Sequence, residues 1–245
     1  MYRSSIYDIE WKYYDILYGN LIDDVEFYRS RLIGDSVLEI MCGTGRIISS
    51  FKNMKIRYGL DIDERMLSMM NSKDKDVVAI RGDARDFSID RKFDNIIIGL
   101  NSILLFDRGE KIRVLKNASR HIKESGIIFL DAIMPPELEE GIVYLGDYKV
   151  KGGLEIYRYF VPYFSDDMKI LHIKYIYDIF EMGGYRRETA DLQLFPVNYQ
   201  EMRDIAREAG LRIRRVYGGY SGEKFYPEKS ERMLLIMEKA KDHER

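Results

Sequence analysis

Short, continuously apolar runs separated by amphipathic stretches fill the first half of this chain, and that alternation restricts the fold more than any other feature. Ser36–Ile40 (SVLEI), Ile56–Asp61 (IRYGLD), Val77–Arg81 (VVAIR), Phe93–Leu100 (FDNIIIGL) and Ile127–Ala132 (IIFLDA) are short and rich in Val and Ile, the pattern of buried strands. Between them Arg46–Lys52, Glu64–Ser72 and Arg108–Ile122 predict helices. A helix-like stretch, Ile6–Leu32, precedes the first strand. Strands that are apolar on both faces and joined through helices imply an α/β fold, a parallel sheet with helices on both faces.

The pattern changes after Pro135-Pro136. LEIYRYFVPYF and KILHIKYIYDIFEM alternate large and polar residues, with breaks at Ser165–Asp167 and Gly183-Gly184, so this stretch predicts antiparallel strands. The α/β order then returns, with a helix expected over Asn198–Ala209, a break at Gly210, and strands over Leu211–Tyr217 and Arg232–Glu238. The expected division is an N-terminal helical cap at 1–35, a ligand-binding α/β segment at 36–142, an inserted antiparallel sheet at 143–196, and the completion of the α/β domain at 197–245. The charge-rich end, EKAKDHER, is most simply a solvated tail.

Composition removes several function classes. Lys plus Arg number 39 against 41 Asp plus Glu, a formal net charge of −2, without the basic excess that phosphate binding usually leaves. Nucleic acid is therefore not expected as a partner. A single cysteine, Cys42, excludes an internal disulfide and any multi-cysteine metal site, and fits a reducing compartment. His121, His172 and His243 lie far apart, so no histidine-based metal site is expected either. The first twenty residues carry Arg3, Asp8, Glu10, Lys12 and Asp15 and lack a signal-peptide core, and Ile96–Phe106 is about half a bilayer span. The expectation is a cytoplasmic protein with no membrane partner.

The chemistry concentrates where the first strand ends. Val37 to Gly45 (VLEIMCGTG) runs a strand into a turn whose glycines, Gly43 and Gly45, let a ligand approach main-chain N–H groups. Taken alone, that turn is equally a tight strand–helix connection. Asp61 closes the second strand about twenty positions after Glu39, where an acid can reach ribose hydroxyls. In an open parallel sheet the carboxyl ends of the strands form the binding crevice, so these residues converge. Asp83, after the third strand, can accept from the exocyclic amine of adenine, or serve only as a turn residue. Ile62 and Met66 are placed to sandwich a base. Together these motifs point to an adenosine-type ligand.

E-x-M-C-G-T-G, G-L-D-I-D, G-D-A-R-D-F and F-D-N-I-I-I-G-L-N-S resemble the S-adenosylmethionine-dependent methyltransferases with a Rossmann-like seven-stranded sheet. The opening YYDILYGN and EFYRSRL, with A-G-L at Ala209–Leu211 and G-G-Y-S-G at Gly218–Gly222, resemble the bacterial aminosugar N,N-dimethyltransferases, which usually carry an inserted antiparallel sheet. The resemblance implies S-adenosyl-L-methionine as cofactor. Glu39, Gly43 and Gly45 would line its methionine moiety, Met41 and Cys42 would belong to the same cofactor site, and Asp61 would bind the ribose. Ile62, Met66, Gly82, Asp83 and Ala84 would surround the adenine. Tyr14 would close over the methionyl end, and Asn101, followed by Ser102, would stand beside the sulfonium and the acceptor, which makes Tyr14 and Asn101 the candidate catalytic residues. One departure counts against a histidine-assisted mechanism: those enzymes place a histidine near Leu105, and this sequence reads NSILLF.

An amine acceptor must be deprotonated and a hydroxyl acceptor benefits from a base. Asp131, Glu155, Tyr157 and His172 are the candidates, although His172 sits in an alternating strand and reads more simply as a packing or surface residue. His121 is expected to meet the helix dipole or solvent, and Cys42 to pack rather than attack. Tyr144, Tyr148, Tyr157, Tyr159, Tyr163, Tyr175, Tyr177 and Tyr185 populate the insertion, either as cross-strand packing or as an aromatic lining that holds a cationic amine. The expected function is methyl transfer to an amine or hydroxyl of a small molecule, in a chain that can form a homodimer. The alternatives are an RNA or protein methyltransferase and a non-catalytic cofactor-binding scaffold. No (D/N/S)-P-P-(Y/F) run follows the fourth strand, where Asn101-Ser102-Ile103-Leu104 stands, which counts against nucleobase methylation.

Overall fold

A computed structural model describes residues 6–134, 138–165, 167 and 169–240. The break at Pro135-Pro136, Asp166 of the SDD turn, His243 and the end of the charged tail lie outside the described residues. Along the chain run α1 (Ile6–Glu10), α2 (Tyr14–Leu17), α3 (Asp23–Arg29), β1 (Ser36–Ile40), β2 (Ile56–Asp61), α4 (Glu64–Lys73), β3 (Val78–Arg81) and β4 (Phe93–Ile98). There follow α5 (Arg108–His121), β5 (Ile122–Ile133), β6 (Tyr144–Lys151), β7 (Leu154–Phe164), β8 (Leu171–Glu181), β9 (Gly184–Leu194), α6 (Tyr199–Glu208), β10 (Leu211–Tyr217) and β11 (Arg232–Lys239). Two compact units divide them: Met1–Leu21 with Pro136–Pro196, and Ile22–Pro135 with Val197–Arg245.

The larger unit holds a seven-stranded sheet in the order β10-β11-β5-β4-β1-β2-β3. β1 pairs parallel with β2 and β4, β2 with β3, and β4 with β5, while β11 runs antiparallel to β5 and β10. All five residues of β1 are buried, as expected for a central strand covered on both faces. The chain turns outward in both directions from β1, so the crevice lies beyond the carboxyl ends of β1 and β4. One side of the sheet carries Val37, Ile97, Phe129, Leu234 and Ile236, packed with Phe27 and Tyr28 of α3. Side chains cap the starts of α4, α5 and α6. Asp63 accepts from the Arg65 amide, Asp107 and Glu110 form a reciprocal capping box, and Asn198 accepts from the Glu201 amide.

The smaller unit is a four-stranded antiparallel meander, β6-β7-β8-β9. One of its faces buries Ile156, Tyr177, Ile179 and Ala190 under Ile6, Ile9, Tyr13 and Leu17 of the N-terminal segment. The period-two pattern read in the sequence is this burial alternating with the exposed Tyr148, Tyr163, Phe180 and Tyr185 of the opposite face.

One expectation is corrected. Arg46–Lys52 is not an α-helix: only a single 3₁₀ turn, Ile48–Ser50, forms there. The β-branched Ile47-Ile48 and the serines after them are poor helix formers, and Glu39 takes the Ile48 amide with its side chain. The helix-like Ile6–Leu32 stretch forms three short helices, separated by the Trp11–Tyr13 turn and the Gly19-Asn20 pair. His121 lies in the last turn of α5, at the carbonyl end of the helix dipole, and away from solvent. It is buried and stacked on Phe87 with ring centroids 4.4 Å apart, its Nδ1 lies 2.8 Å from the Asn117 carbonyl, and its Nε2 accepts from the Ile89 amide.

Candidate active site

β1 delivers the chain into the crevice through three left-handed residues, Met41 (φ 61°), Gly43 (φ 54°) and Gly45 (φ 74°). Met41 occupies a region that non-glycine residues rarely enter, which marks the turn as held by its surroundings. Gly45 must be glycine on packing grounds too, because a Cβ there would lie 2.3 Å from Met70 Cγ. Cys42 fills the space beside this turn. Its Sγ lies 3.8 Å from Met70 Sδ, and burial pushes the thiol above its ordinary range, so it packs and does not attack.

Asp61 joins the first two strand ends. Its Oδ2 accepts from the Gly43 amide at 2.7 Å and its Oδ1 from the Asp63 amide at 2.9 Å. A carboxylate offers about four acceptor positions, so both oxygens retain capacity for a diol. Ile62 stands exposed beside it, and Met66 is buried on α4. The Gly82 amide donates to the Asp61 carbonyl, and a Cβ at Gly82 would meet only ordinary contacts, so no steric demand for glycine exists there. Ala84 is buried. Asp83 is engaged in its own turn: it accepts from the Arg85 amide and from Arg85 Nε at 2.9 Å, and Arg85 holds its carboxyl below the usual range.

Glu39 is buried, accepts from the Ile48 amide at 2.8 Å, and is pushed up by burial to about 8. Arg46, the residue after the glycine turn, pairs with buried Asp24 and ties α3 to the turn. Sequence reasoning passed over this pair and over Tyr28. The Tyr28 ring is buried in the core, yet its hydroxyl has no hydrogen-bond partner among the described residues. That hydroxyl lies 3.5 Å from where a Cβ at Gly99 would be, and the carboxylates of Asp131 and Asp24 bear on it. No local motif announces such a residue, because an apolar core position in α3 would look the same.

Beyond β4, Leu100 (φ 47°) and Asn101 (φ 62°) form a second left-handed turn. Asn101 Oδ1 accepts from the Ile133 amide at 2.7 Å. Asp131, proposed from sequence as a base, is fully buried and bound to Arg232, Tyr220 and the Leu100 amide, so it is not a free proton acceptor. Glu155, Tyr157 and His172 belong to the smaller unit, and Tyr157 stacks on Tyr148 with centroids 4.4 Å apart. Tyr14 is in that unit too, on α2, with its ring 4.7 Å from that of Tyr18. Thus the structure gathers Glu39, Met41, Gly43, Gly45, Asp61 and Asn101 at the strand ends of one unit, whereas Tyr14 is carried by the other. Among the described residues no group of three or more His, Cys, Asp or Glu side chains is placed to hold a metal ion.

A central β1 ending in a glycine turn, an acid at the end of β2 and a strained turn after β4 define a nucleotide-type cofactor site of the parallel α/β class. Comparison with known proteins gives that class its chemistry. Residues 37–126 match a family described as a methyltransferase domain. The chain is 31% identical over 221 residues to the cypemycin N-terminal methyltransferase of a Streptomyces species, covering 85% of this chain and 84% of that protein. It is 24% identical to the dTDP-3-amino-3,4,6-trideoxy-alpha-D-glucopyranose N,N-dimethyltransferase of Streptomyces venezuelae, over 82% and 85% of the two chains. Its fold is that of an S-adenosylmethionine-dependent methyltransferase from Clostridium acetobutylicum, with a TM-score of 0.79 and 18% identity over 94% and 97% of the chains. The chain belongs to the S-adenosylmethionine-dependent methyltransferases. Its residues fit that cofactor: Asp61 keeps free acceptor positions for a ribose, and the buried Tyr28 hydroxyl needs a polar partner.

Proposed function

We propose that this enzyme transfers the methyl group of S-adenosyl-L-methionine to an amine nitrogen of a small molecule by in-line displacement. The observation that carries the reading is the convergence of the Gly43–Gly45 turn, Asp61 and the Leu100–Asn101 turn at adjacent strand ends. In this reading Glu39, Met41, Cys42, Gly43 and Gly45 surround the methionyl end and Asp61 holds the ribose. Ile62, Met66, Gly82, Asp83 and Ala84 surround the adenine, Asp83 sharing its carboxylate with Arg85. Asn101 stands at the sulfonium, which supplies an already activated methyl group, and Tyr14 closes over the methionyl end. The protein's task is then to bring a neutral amine lone pair to near-attack distance, which contributes several kcal/mol. An amine acceptor is supported by relatives named as an N-terminal methyltransferase and as an N,N-dimethyltransferase of a dTDP-amino sugar. A nearly balanced net charge supports a partner other than nucleic acid.

The inserted sheet is assigned to the acceptor, its tyrosines forming an aromatic lining for a cationic amine. A homodimer is part of the same reading, supported by the exposed Leu145, Tyr148, Val150, Phe180 and Tyr185 on the outward face of that sheet. A cytoplasmic setting accords with one unpaired, buried cysteine. No helix among the described residues is long and apolar enough to cross a membrane.

Isothermal titration with S-adenosylmethionine and S-adenosylhomocysteine tests the site. Folded protein free of copurified cofactor should bind both, and Asp61→Ala should weaken both by about tenfold to a hundredfold through lost charge-assisted hydrogen bonds. Absence of heat with the intact protein would refute the assignment. Release of S-adenosylhomocysteine in the presence of an aminosugar or a free peptide N-terminus then identifies the acceptor class. Tyr28→Phe should act with opposite signs on two readouts. Cofactor affinity should fall by about threefold to tenfold, while the stability of the cofactor-free protein should hold or rise by up to about 1–2 kcal/mol, because the variant no longer buries an unsatisfied hydroxyl. A loss of stability would show that Tyr28 serves the core alone.

A further inference from the structure

Leu100 and Asn101 are consecutive left-handed residues, and neither is glycine. Such a pair persists only where neighbouring groups over-determine it, and the groups responsible can be traced. Asp131, at the end of β5, accepts from the Leu100 amide with Oδ2 at 3.2 Å. The same oxygen accepts from the Tyr220 hydroxyl at 2.6 Å, and Oδ1 accepts from Arg232 Nη1 at 2.5 Å. That Arg232 nitrogen also reaches Asn101 Oδ1 at 3.3 Å, and the guanidinium lies 4.9 Å from the centroid of the Tyr220 ring. Arg232 opens β11, which pairs with β5 in a register that sets Leu234 opposite Asp131, so both charged side chains issue from one face of the sheet. Asp131 is fully buried, a setting in which a carboxylate without its cation would be strongly disfavoured.

We propose that Asp131 and Arg232, closed over by Tyr220, form a clamp that holds the Leu100–Asn101 turn in its left-handed form and so positions Asn101 toward the cofactor. They are positioning residues, acting through Asn101 and the Leu100 backbone, and the proposal rests on the methyltransferase reading above. In place of a free general base, the end of β5 carries a carboxylate whose two oxygens are both engaged by donors. The turn is fastened from three separate segments, β5, β11 and the loop at Gly218–Gly222, so cofactor affinity becomes sensitive to residues distant in sequence from any cofactor motif.

The test is a mutant cycle read by titration with S-adenosylmethionine, with hydrogen exchange of the Leu100 and Ile133 amides and thermal unfolding measured on the same proteins. Arg232→Met and Asn101→Ala should each lower affinity about tenfold, and the double variant should lose about tenfold rather than a hundredfold, because both changes disable one device. Exchange at Leu100 should accelerate in Arg232→Met, and Arg232→Lys should restore part of the affinity. Tyr220→Phe, which removes a single hydroxyl and should fold, is expected to lower affinity about threefold and to accelerate the same amide. Losses that multiply in the double variant, or unchanged Leu100 exchange in both Arg232→Met and Tyr220→Phe, would overturn the clamp. Failure of the unaltered protein to bind S-adenosylmethionine would overturn the methyltransferase reading and Asn101's role together. The exchange result still decides whether the three residues hold the turn.

Discussion

Glu39→Gln is expected to raise stability at pH 8 by on the order of 4 kcal/mol while leaving it nearly unchanged at pH 4. Burial places the Glu39 carboxyl near 8, against an ordinary value of 4.5. Between those limits the folded protein retains a proton that the unfolded chain has released. Stability therefore falls as pH rises from about 4.5 to about 8 and levels off above that, since it decreases wherever the native state binds more protons. Glutamine keeps the acceptor for the Ile48 amide but cannot ionise, so its profile should be flat over that window. In a chain of this size the difference at pH 8 amounts to roughly 10 °C in melting temperature. Thermal scans of both proteins from pH 4 to 9 give the comparison, and parallel curves would show that Glu39 titrates normally. The same proton is a functional handle: a cationic group bound near Glu39 favours the carboxylate. Titration of S-adenosylmethionine at pH 7 in buffers of different ionisation heat should then report proton release that Glu39→Gln lacks.

Glu39 also illustrates what was readable without coordinates. Its place at the end of a central strand and the glycines after it followed from periodicity and motif, because a strand buried on both faces leaves a continuous apolar run. The inserted sheet was readable for the converse reason, as one covered face and one exposed face impose a period of two. Helix starts were legible wherever a capping side chain stood, as at Asp63, Asp107 and Asn198. The errors fall where tertiary contacts replace local rules. The segment after Gly45 looked helical, but the side chain of Glu39 captures the Ile48 amide and the segment makes only one tight turn. Asp131 looked like a base at a strand end because its partner, Arg232, is brought to it by strand register and not by sequence proximity. Asn101 carried a weak local signal, since asparagine tolerates the left-handed region better than most residues; Leu100 carried none. The buried charge network of the N-terminal segment was invisible for the same reason as Arg232.

That network supports the other large effect, on the smaller unit. Glu10, on α1, is 2% exposed. It accepts from Arg158 Nη1 at 2.6 Å, from the Tyr177 hydroxyl at 2.8 Å and from the Tyr18 hydroxyl at 3.1 Å. Arg158 also pairs with Asp147, donates to the Tyr18 hydroxyl, and lies 5.1 Å and 5.5 Å from the ring centroids of Tyr18 and Tyr175. Burial raises the Tyr175 hydroxyl to about 12 and Tyr177 further, so both phenols stay protonated at neutral pH, and Tyr177 remains a donor to Glu10. Arg158→Met keeps most of the aliphatic stem but leaves Glu10 as a buried carboxylate with no cation, which costs about 3–5 kcal/mol. Adding Glu10→Gln should recover most of the loss, because a neutral amide needs only the phenol donors. Arg158→Lys should recover less, since one ammonium cannot reach Glu10 and Asp147 with the reach of a fork. The sole tryptophan, Trp11, follows Glu10 directly and belongs to this unit, so its fluorescence in a denaturant titration reports the unit selectively. The Arg158→Met midpoint should drop sharply and the double variant's should return. A single variant within about 1 kcal/mol of the parent would mean that solvent or rearrangement already screens Glu10 and that the N-terminal helices are held by their apolar face alone.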